Sequence, residues 1–200
     1  MENEKEKEKF DLSGALKGFA EHYEDGNSPV WDIGRPKQPF IEIANQVVEP
    51  ILDAGCGAGD TSIFFASRGL KVIGIDFVEN AILRAKSKVG GRNLPVEFLV
   101  KDAVTLDEWD IKFNTVIDSG LLHAIYDRQK YANGLKHVLH SGGRLYVFYF
   151  KDDPSSPGGG ISDNELKRLF ADGWKIESIK SVSEDNDEWK MNFAVILRRS

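Results

Sequence analysis

The chain holds a single cysteine, Cys56, so no internal disulfide can staple it. A lone thiol fits a reducing compartment, and a cytoplasmic location is expected. No run of eighteen apolar residues exists, which argues against a membrane-spanning helix. The stretch Met1–Lys9 has no apolar core of the kind a secretory signal needs. Basic side chains are outnumbered, 26 to 32, giving a net charge of −6 without a Lys/Arg cluster. Tight non-specific binding to nucleic acid depends on such clusters, so neither a nucleic-acid nor a membrane partner is expected. No metal centre is expected either, and the oligomeric state is left open.

What remains is the composition of one globular domain: 200 residues, 41% of them hydrophobic. Residues 1–10 are mostly Glu and Lys, whose charges largely cancel, and read as a disordered charged tail. Residues 11–200 read as a single domain, in which 11–48 form cap helices and a strap.

The densest information lies in Pro50-Ile51-Leu52-Asp53-Ala54-Gly55-Cys56-Gly57-Ala58-Gly59-Asp60. A short apolar run ends in a carboxylate and opens into three alternating glycines, and a helical pattern follows. Glycine lets backbone approach a ligand that a Cβ would keep away, and a helix start presents unpaired N–H groups. A dinucleotide fingerprint needs its third glycine at the sixth position, where this chain has Asp60. Carboxylates at Asp53 and Asp60 would repel phosphate and suit a ligand with a cationic amine.

Apolar spacing then alternates strand and helix. Strands are expected at Ile51–Asp53, Lys71–Asp76, Val96–Val100, Thr115–Asp118, Arg144–Phe150, Lys175–Val182 and Met191–Arg198. Helices are expected at Asp11–Glu24, Phe40–Val48, Thr61–Arg68, Glu79–Val89 and Arg128–His140, the last stopped by Gly142 and Gly143. Ser162-Asp163-Asn164-Glu165 reads as a capping box ahead of Leu166, Leu169 and Phe170. This order implies an α/β fold with a mostly parallel sheet covered on both faces. The last two strands, lacking a helix between them, form an antiparallel hairpin. Ligands in such sheets sit beyond the carboxyl ends of the strands.

Asp-x-Gly-x-Gly-x-Gly resembles the first motif of class I S-adenosylmethionine (SAM) dependent methyltransferases, whose Rossmann-like sheet has seven strands. The resemblance sharpens at Ser28-Pro29-Val30-Trp31-Asp32-Ile33-Gly34-Arg35-Pro36, at Ile117-Asp118-Ser119-Gly120-Leu121-Leu122-His123, and at Phe170-Ala171-Asp172-Gly173-Trp174. These segments are similar to those of the small-molecule methyltransferases near thiopurine and thiol/halide methyltransferases, from about Tyr23 to Arg198. It implies SAM as cofactor and a small-molecule nucleophile (thiol, halide, hydroxyl or ring nitrogen) as methyl acceptor.

By that resemblance Asp53, Gly55, Cys56 and Gly57 hold the methionine moiety. Asp76 takes the ribose hydroxyls, and Phe77 lies against the adenine. Asp102 and the Ala103 backbone read the adenine edge. Asp118 and Ser119 pass beneath the methionine part, Trp31 covers cofactor or acceptor, and Arg35 meets the cofactor carboxylate. His123 is placed on the acceptor side as the candidate base, with Tyr23 as a second, whereas His22, His137 and His140 are expected to be structural. The Asn-Pro-Pro-Tyr type motif of amino-group methylation in nucleic acids is absent, as is a Pro-Cys nucleophile. A SAM-binding module without catalysis, an enzyme acting on RNA or protein, and a nicotinamide oxidoreductase stay open at this point. So does the role of residues 151–160 as a gate or a plain connection.

Overall fold

A computed structural model describes residues 18–24, 29–152, 160–183 and 190–200. The charged tail, Leu16, Ser28, most of the 151–160 loop and the acidic turn of the C-terminal hairpin lie outside these residues.

The strands are β1 (Ile51–Ala54), β2 (Val72–Asp76), β3 (Val96–Val100), β4 (Phe113–Ser119), β5 (Leu139–Phe150), β6 (Trp174–Val182) and β7 (Met191–Arg198). They form one seven-stranded sheet in the order β3-β2-β1-β4-β5-β7-β6. β1 pairs in parallel with β2 and β4, and β7 runs antiparallel between β5 and β6. The helices are α1 (Gln38–Glu42), α2 (Asp60–Ser67), α3 (Glu79–Val89), α4 (Leu121–Ala124), α5 (Arg128–Val138) and α6 (Asp163–Leu169), with a 3₁₀ segment at Ala103–Glu108.

All four residues of β1 are buried, as a central parallel strand covered on both faces must be. Its neighbours in sequence face opposite ways. Leu52 packs with Val104, Tyr131 and Leu135 on one side of the sheet. Ile51 packs with Phe40, Phe65 and Tyr146 on the other. Burying each such side chain stabilises the fold by roughly 1.5–3 kcal/mol. The apolar spacing of α5 buries Tyr131, Leu135 and Val138 as expected.

Boundaries differ from the sequence reading where backbone chemistry intervenes. The second helix stops at Glu42 and continues as turns, although Ile43, Ala44 and Val47 are still buried. Helix α5 ends at Val138, and β5 begins at once with Leu139. Gly142 and Gly143 therefore lie inside β5, so His140 belongs to a strand and not to the covering helix. A Cβ at Gly143 would come within 2.9 Å of the Asn114 carbonyl, so glycine serves close strand approach there. The capping box is half formed. Ser162 Oγ accepts from the Glu165 amide at 3.1 Å, while the Glu165 carboxylate turns to Arg128.

Strand order reverses between β1 and β4, with β2 on one side and β5 on the other. A doubly wound sheet opens its ligand crevice at that point, beyond the strand tips.

Candidate functional site

The tips of β1, β2 and β4 bring three carboxylates to the crevice. Asp53 lies inside β1, fully buried. Its Oδ2 accepts a 2.6 Å hydrogen bond from Ser62 Oγ, whereas its Oδ1 is buried with no protein partner. Burial, opposed by the Ser62 bond and reinforced by Asp118 and Asp76, raises its pKa to about 7. An unmatched buried oxygen costs desolvation energy until a donor meets it. Asp76 ends β2 and accepts from the Gly57 and Val78 amides, each at 2.9 Å. Burial lifts its pKa despite these donors.

Asp118 ends the register of β4 opposite Ala54. It accepts from the Leu121 and Leu122 amides (2.8 and 3.2 Å) and from the Tyr131 hydroxyl (2.9 Å). Burial lifts its carboxyl to about 6. Asp102 follows β3 and accepts from the Val104 amide at 3.0 Å, opening the 3₁₀ segment that begins at Ala103. The Tyr126 hydroxyl bonds the same carboxylate. Ser119 is half-buried at the end of β4.

The glycine turn has the left-handed backbone its sequence needs, with φ of +69° at Gly55 and +53° at Gly57. A Cβ on Gly57 would meet the Tyr23 hydroxyl at 2.8 Å, and one on Gly55 would meet Leu121 at 3.0 Å. The turn therefore has the front segment close on one side and the start of α4 on the other. Cys56 donates its amide to the Ile75 carbonyl at 2.8 Å. Its thiol is pushed up by burial and then by Asp53 and Asp76, which removes it as a nucleophile.

The front segment is tied down by side chains. Residues 18–21 are helical, and Tyr23 is buried. Arg84 of α3 donates to the Tyr23 carbonyl at 2.9 Å and lies over its ring. The Tyr23 hydroxyl accepts from Trp31 Nε1 at 3.1 Å. Trp31 also meets His22 and Phe19 edge-on, at ring separations of 4.9 and 6.1 Å. Phe77 packs edge-on against Phe19. Lys88 bridges Asp32 and Asp60 at 2.8 and 2.9 Å, joining strap, α2 and α3. Arg35 is exposed on this strap and donates to the Pro36 carbonyl at 3.5 Å.

Burial pushes the Tyr23 hydroxyl well above the ordinary tyrosine range, past any opposing effect of the Trp31 bond, which argues against its use as a base. One expectation is corrected. Asp60 is not a free carboxylate awaiting a cationic ligand, because Lys88 and Asp32 already engage it.

His123 sits on α4 with its ring 4.4 Å from that of Phe150. Its Nδ1 is buried without a protein partner. Burial, and then the Arg128 charge, pushes its pKa down to about 4. The imidazole is thus neutral at pH 7 and offers an acceptor nitrogen. Ser62, Lys88 and Phe150 border the site and carried no signal of it in the sequence. Lys88 and Phe150 take their roles from partners 27 or more residues away, and Tyr131, which bonds Asp118, had only a helical-spacing signal. A separate groove of about 730 Å³ lies between α1 and β6, floored by Tyr146 and Phe193. It contains none of the strand-tip carboxylates.

The unmatched Asp53 oxygen and the glycine cradle fit a ligand bearing an ammonium group, and four carboxylates make a poor seat for pyrophosphate. Comparison with known proteins agrees with this chemistry. The Methyltransferase domain family matches residues 47–196. The 2-heptyl-1-hydroxyquinolin-4(1H)-one methyltransferase of Mycobacteroides abscessus is 30% identical over 160 residues, covering 76% of this chain and 70% of that protein. Thiopurine S-methyltransferase of Pseudomonas fluorescens is 25% identical over 179 residues, covering 79% of each. A solved structure, from work on conversion of a disulfide bond into a thioacetal group during echinomycin biosynthesis, superposes with a TM-score of 0.80 at 30% identity. It covers 92% of both chains. With the fold, the crevice and these likenesses in agreement, the chain belongs to the Methyltransferase domain family and is a SAM-dependent methyltransferase.

Proposed function

We propose that this enzyme methylates a small planar nucleophile, a heteroaromatic or phenolic N–H or O–H group, held beside His123 and Phe150. The observation that carries this reading is the neutral His123 imidazole, whose buried Nδ1 lacks a protein partner while its ring sits tilted, 4.4 Å from that of Phe150. An aromatic wall with one polar acceptor suits a flat molecule with one ionisable hydrogen. The relative named for a 2-heptyl-1-hydroxyquinolin-4(1H)-one supports the same class, while the thiopurine relative is named for methylation at sulfur and supports only a planar heterocyclic acceptor.

When bound, SAM supplies a methyl group on a positively charged sulfur. The chain's own residues bind and orient. Asp53 Oδ1 receives the ammonium group, with Gly55, Cys56 and Gly57 giving it room. Asp76 receives the ribose hydroxyls, and Phe77 flanks the adenine. Asp102 and the Ala103 amide read its edge, and Asp118 and Ser119 underlie the methionine part. Arg35 meets the carboxylate, and Trp31 closes the crevice and excludes water. An aromatic face near a cation contributes roughly 0.5–2 kcal/mol. His123 Nδ1 accepts the acceptor's proton as the new bond forms. Its lowered pKa makes His123 a weaker base than one matched to neutral pH, and it can still take the proton because that proton becomes strongly acidic once the methyl bond forms. Orientation of the two reactants supplies on the order of 7–11 kcal/mol. Residues 11–200 work as one catalytic domain in this reading. A cytoplasmic setting belongs to it too, supported by the lone cysteine.

The test is turnover of SAM against a panel of thiols, halides, phenols and nitrogen heterocycles, read as S-adenosylhomocysteine (SAH) formed. A phenol or heterocycle should be methylated, and His123→Ala should slow it by roughly 10²–10⁴-fold. Unchanged turnover in His123→Ala, or activity confined to thiols and halides, refutes the acceptor class.

A further inference from the structure

Helix α4, which carries His123, is only four residues long. A helix that short has no stability of its own, and nearly all of its N–H and C=O groups need outside partners. Its start is closed by Asp118, through the Leu121 and Leu122 amides. Its end is closed by Arg128. The Arg128 Nε donates to the Leu122 carbonyl at 3.2 Å, and a terminal nitrogen donates to the His123 carbonyl at 2.9 Å. The other terminal nitrogen pairs with Glu165 Oε1 at 2.7 Å. Glu165 lies in the first turn of α6, whose start Ser162 caps. One guanidinium therefore joins α4, α5 and α6. Its planar fork can hold two carbonyls and a carboxylate in a fixed plane, which an ammonium cannot do.

We propose that Arg128 is a positioning residue: by closing the C-terminal end of α4, with Glu165 holding its plane, it fixes the His123 ring against Phe150 for the acceptor. The inference rests on the reading of His123 as the acceptor-side residue. Asp118 does the same work at the other end, but it is fully buried and also carries the Tyr131 hydroxyl. Arg128 and Glu165 are half-buried, and the hydrogen bonds of Arg128 run to the α4 carbonyls and Glu165 and not to the strand-tip carboxylates.

The experiment combines a double-mutant cycle with NMR of the whole enzyme. Arg128→Met should lower kcat by about 10–100-fold and leave SAH affinity within about twofold. Arg128→Lys, which keeps the charge and loses the fork, should recover only part of the rate. Glu165→Gln, which keeps an acceptor oxygen, should lose less than about tenfold. In the His123→Ala background, Arg128→Met should cost nothing further, because the group it positions is gone. Independently of turnover, the His123 ring signals should lose the ring-current shift given by Phe150 when Arg128 is replaced. An equal rate loss in the His123→Ala background, or an unmoved His123 signal in Arg128→Met and Arg128→Lys alike, overturns the proposal. Were His123→Ala alone silent in turnover, the acceptor reading would fail, while the NMR arm would still judge the clamp. If Arg128→Met does not fold, the Lys and Gln variants carry the same comparison.

Discussion

Replacing Asp53 by Asn tests the crevice at its most buried charge. The carboxyl has an ordinary value of 3.8 and is raised to about 7 in the fold, by burial first and by Asp118 and Asp76 after it. A carboxyl raised on folding stabilises the native state when it is protonated. Its contribution is complete below pH 3.8 and is lost as the pH rises through about 7. Each pKa unit is about 1.4 kcal/mol, so ionising Asp53 between pH 5 and pH 8 costs the ligand-free protein roughly 3 kcal/mol. Asn in its place keeps an oxygen for Ser62 Oγ and removes the titration. Ligand-free Asp53→Asn should therefore lose less stability than the wild type across that range in urea unfolding.

Cofactor binding should move the opposite way. An ammonium group on Oδ1 favours the ionised carboxylate, so wild-type protein should release a proton on binding SAH below pH 7. Affinity should then rise by up to about tenfold per pH unit from 5.5 to 7 and level off. A charge-assisted hydrogen bond is worth about 1.5–3 kcal/mol, so Asp53→Asn should weaken SAH binding by roughly 10–100-fold and flatten its pH dependence. Calorimetry in pairs of buffers with different ionisation heats measures affinity and proton release together. Wild-type binding that is flat from pH 5.5 to 7.5, or an Asn variant that binds as tightly as wild type, refutes the placement of the ammonium on Asp53.

Gly59→Ala should destabilise the fold by about 2–5 kcal/mol. The residue has φ of +81°, and a Cβ would lie 2.7 Å from the Phe98 ring and 2.8 Å from Ala85. Left-handed backbone costs about 1–2 kcal/mol for a non-glycine residue, and overpacking adds about 1–3. A urea midpoint equal to wild type would contradict this. Tyr23→Phe removes the acceptor of Trp31 Nε1, so it should cost about 1 kcal/mol and weaken SAH binding several-fold. It should leave the pH–rate profile between 7 and 10 unchanged, and loss of a basic limb there would restore Tyr23 as a base.

Much of the fold was written in local chemistry. Ile51-Leu52-Asp53-Ala54 followed by alternating glycines can only be a buried strand turning sharply into a helix, because apolar side chains on both faces need cover and positive φ needs glycine. The periodicities of α3 and α5 and the unlinked final strands fixed the mostly parallel sheet and its antiparallel edge. The acidic residues ending three apolar runs are visible in the sequence, and the sheet sets Asp53, Asp76 and Asp118 on the neighbouring strands β1, β2 and β4. Tertiary structure alone decided what each charge faces. Asp60 looked like Asp53 in sequence, yet Lys88, 28 residues on, engages it while Asp53 Oδ1 stays unmatched. Tyr23 and His123 are both ionisable candidates by composition. Burial raises the pKa of the first and lowers that of the second, since desolvation disfavours whichever form is charged. Hydrogen-bond partners and dielectric come from distant parts of the chain, and no local pattern of residue types encodes them.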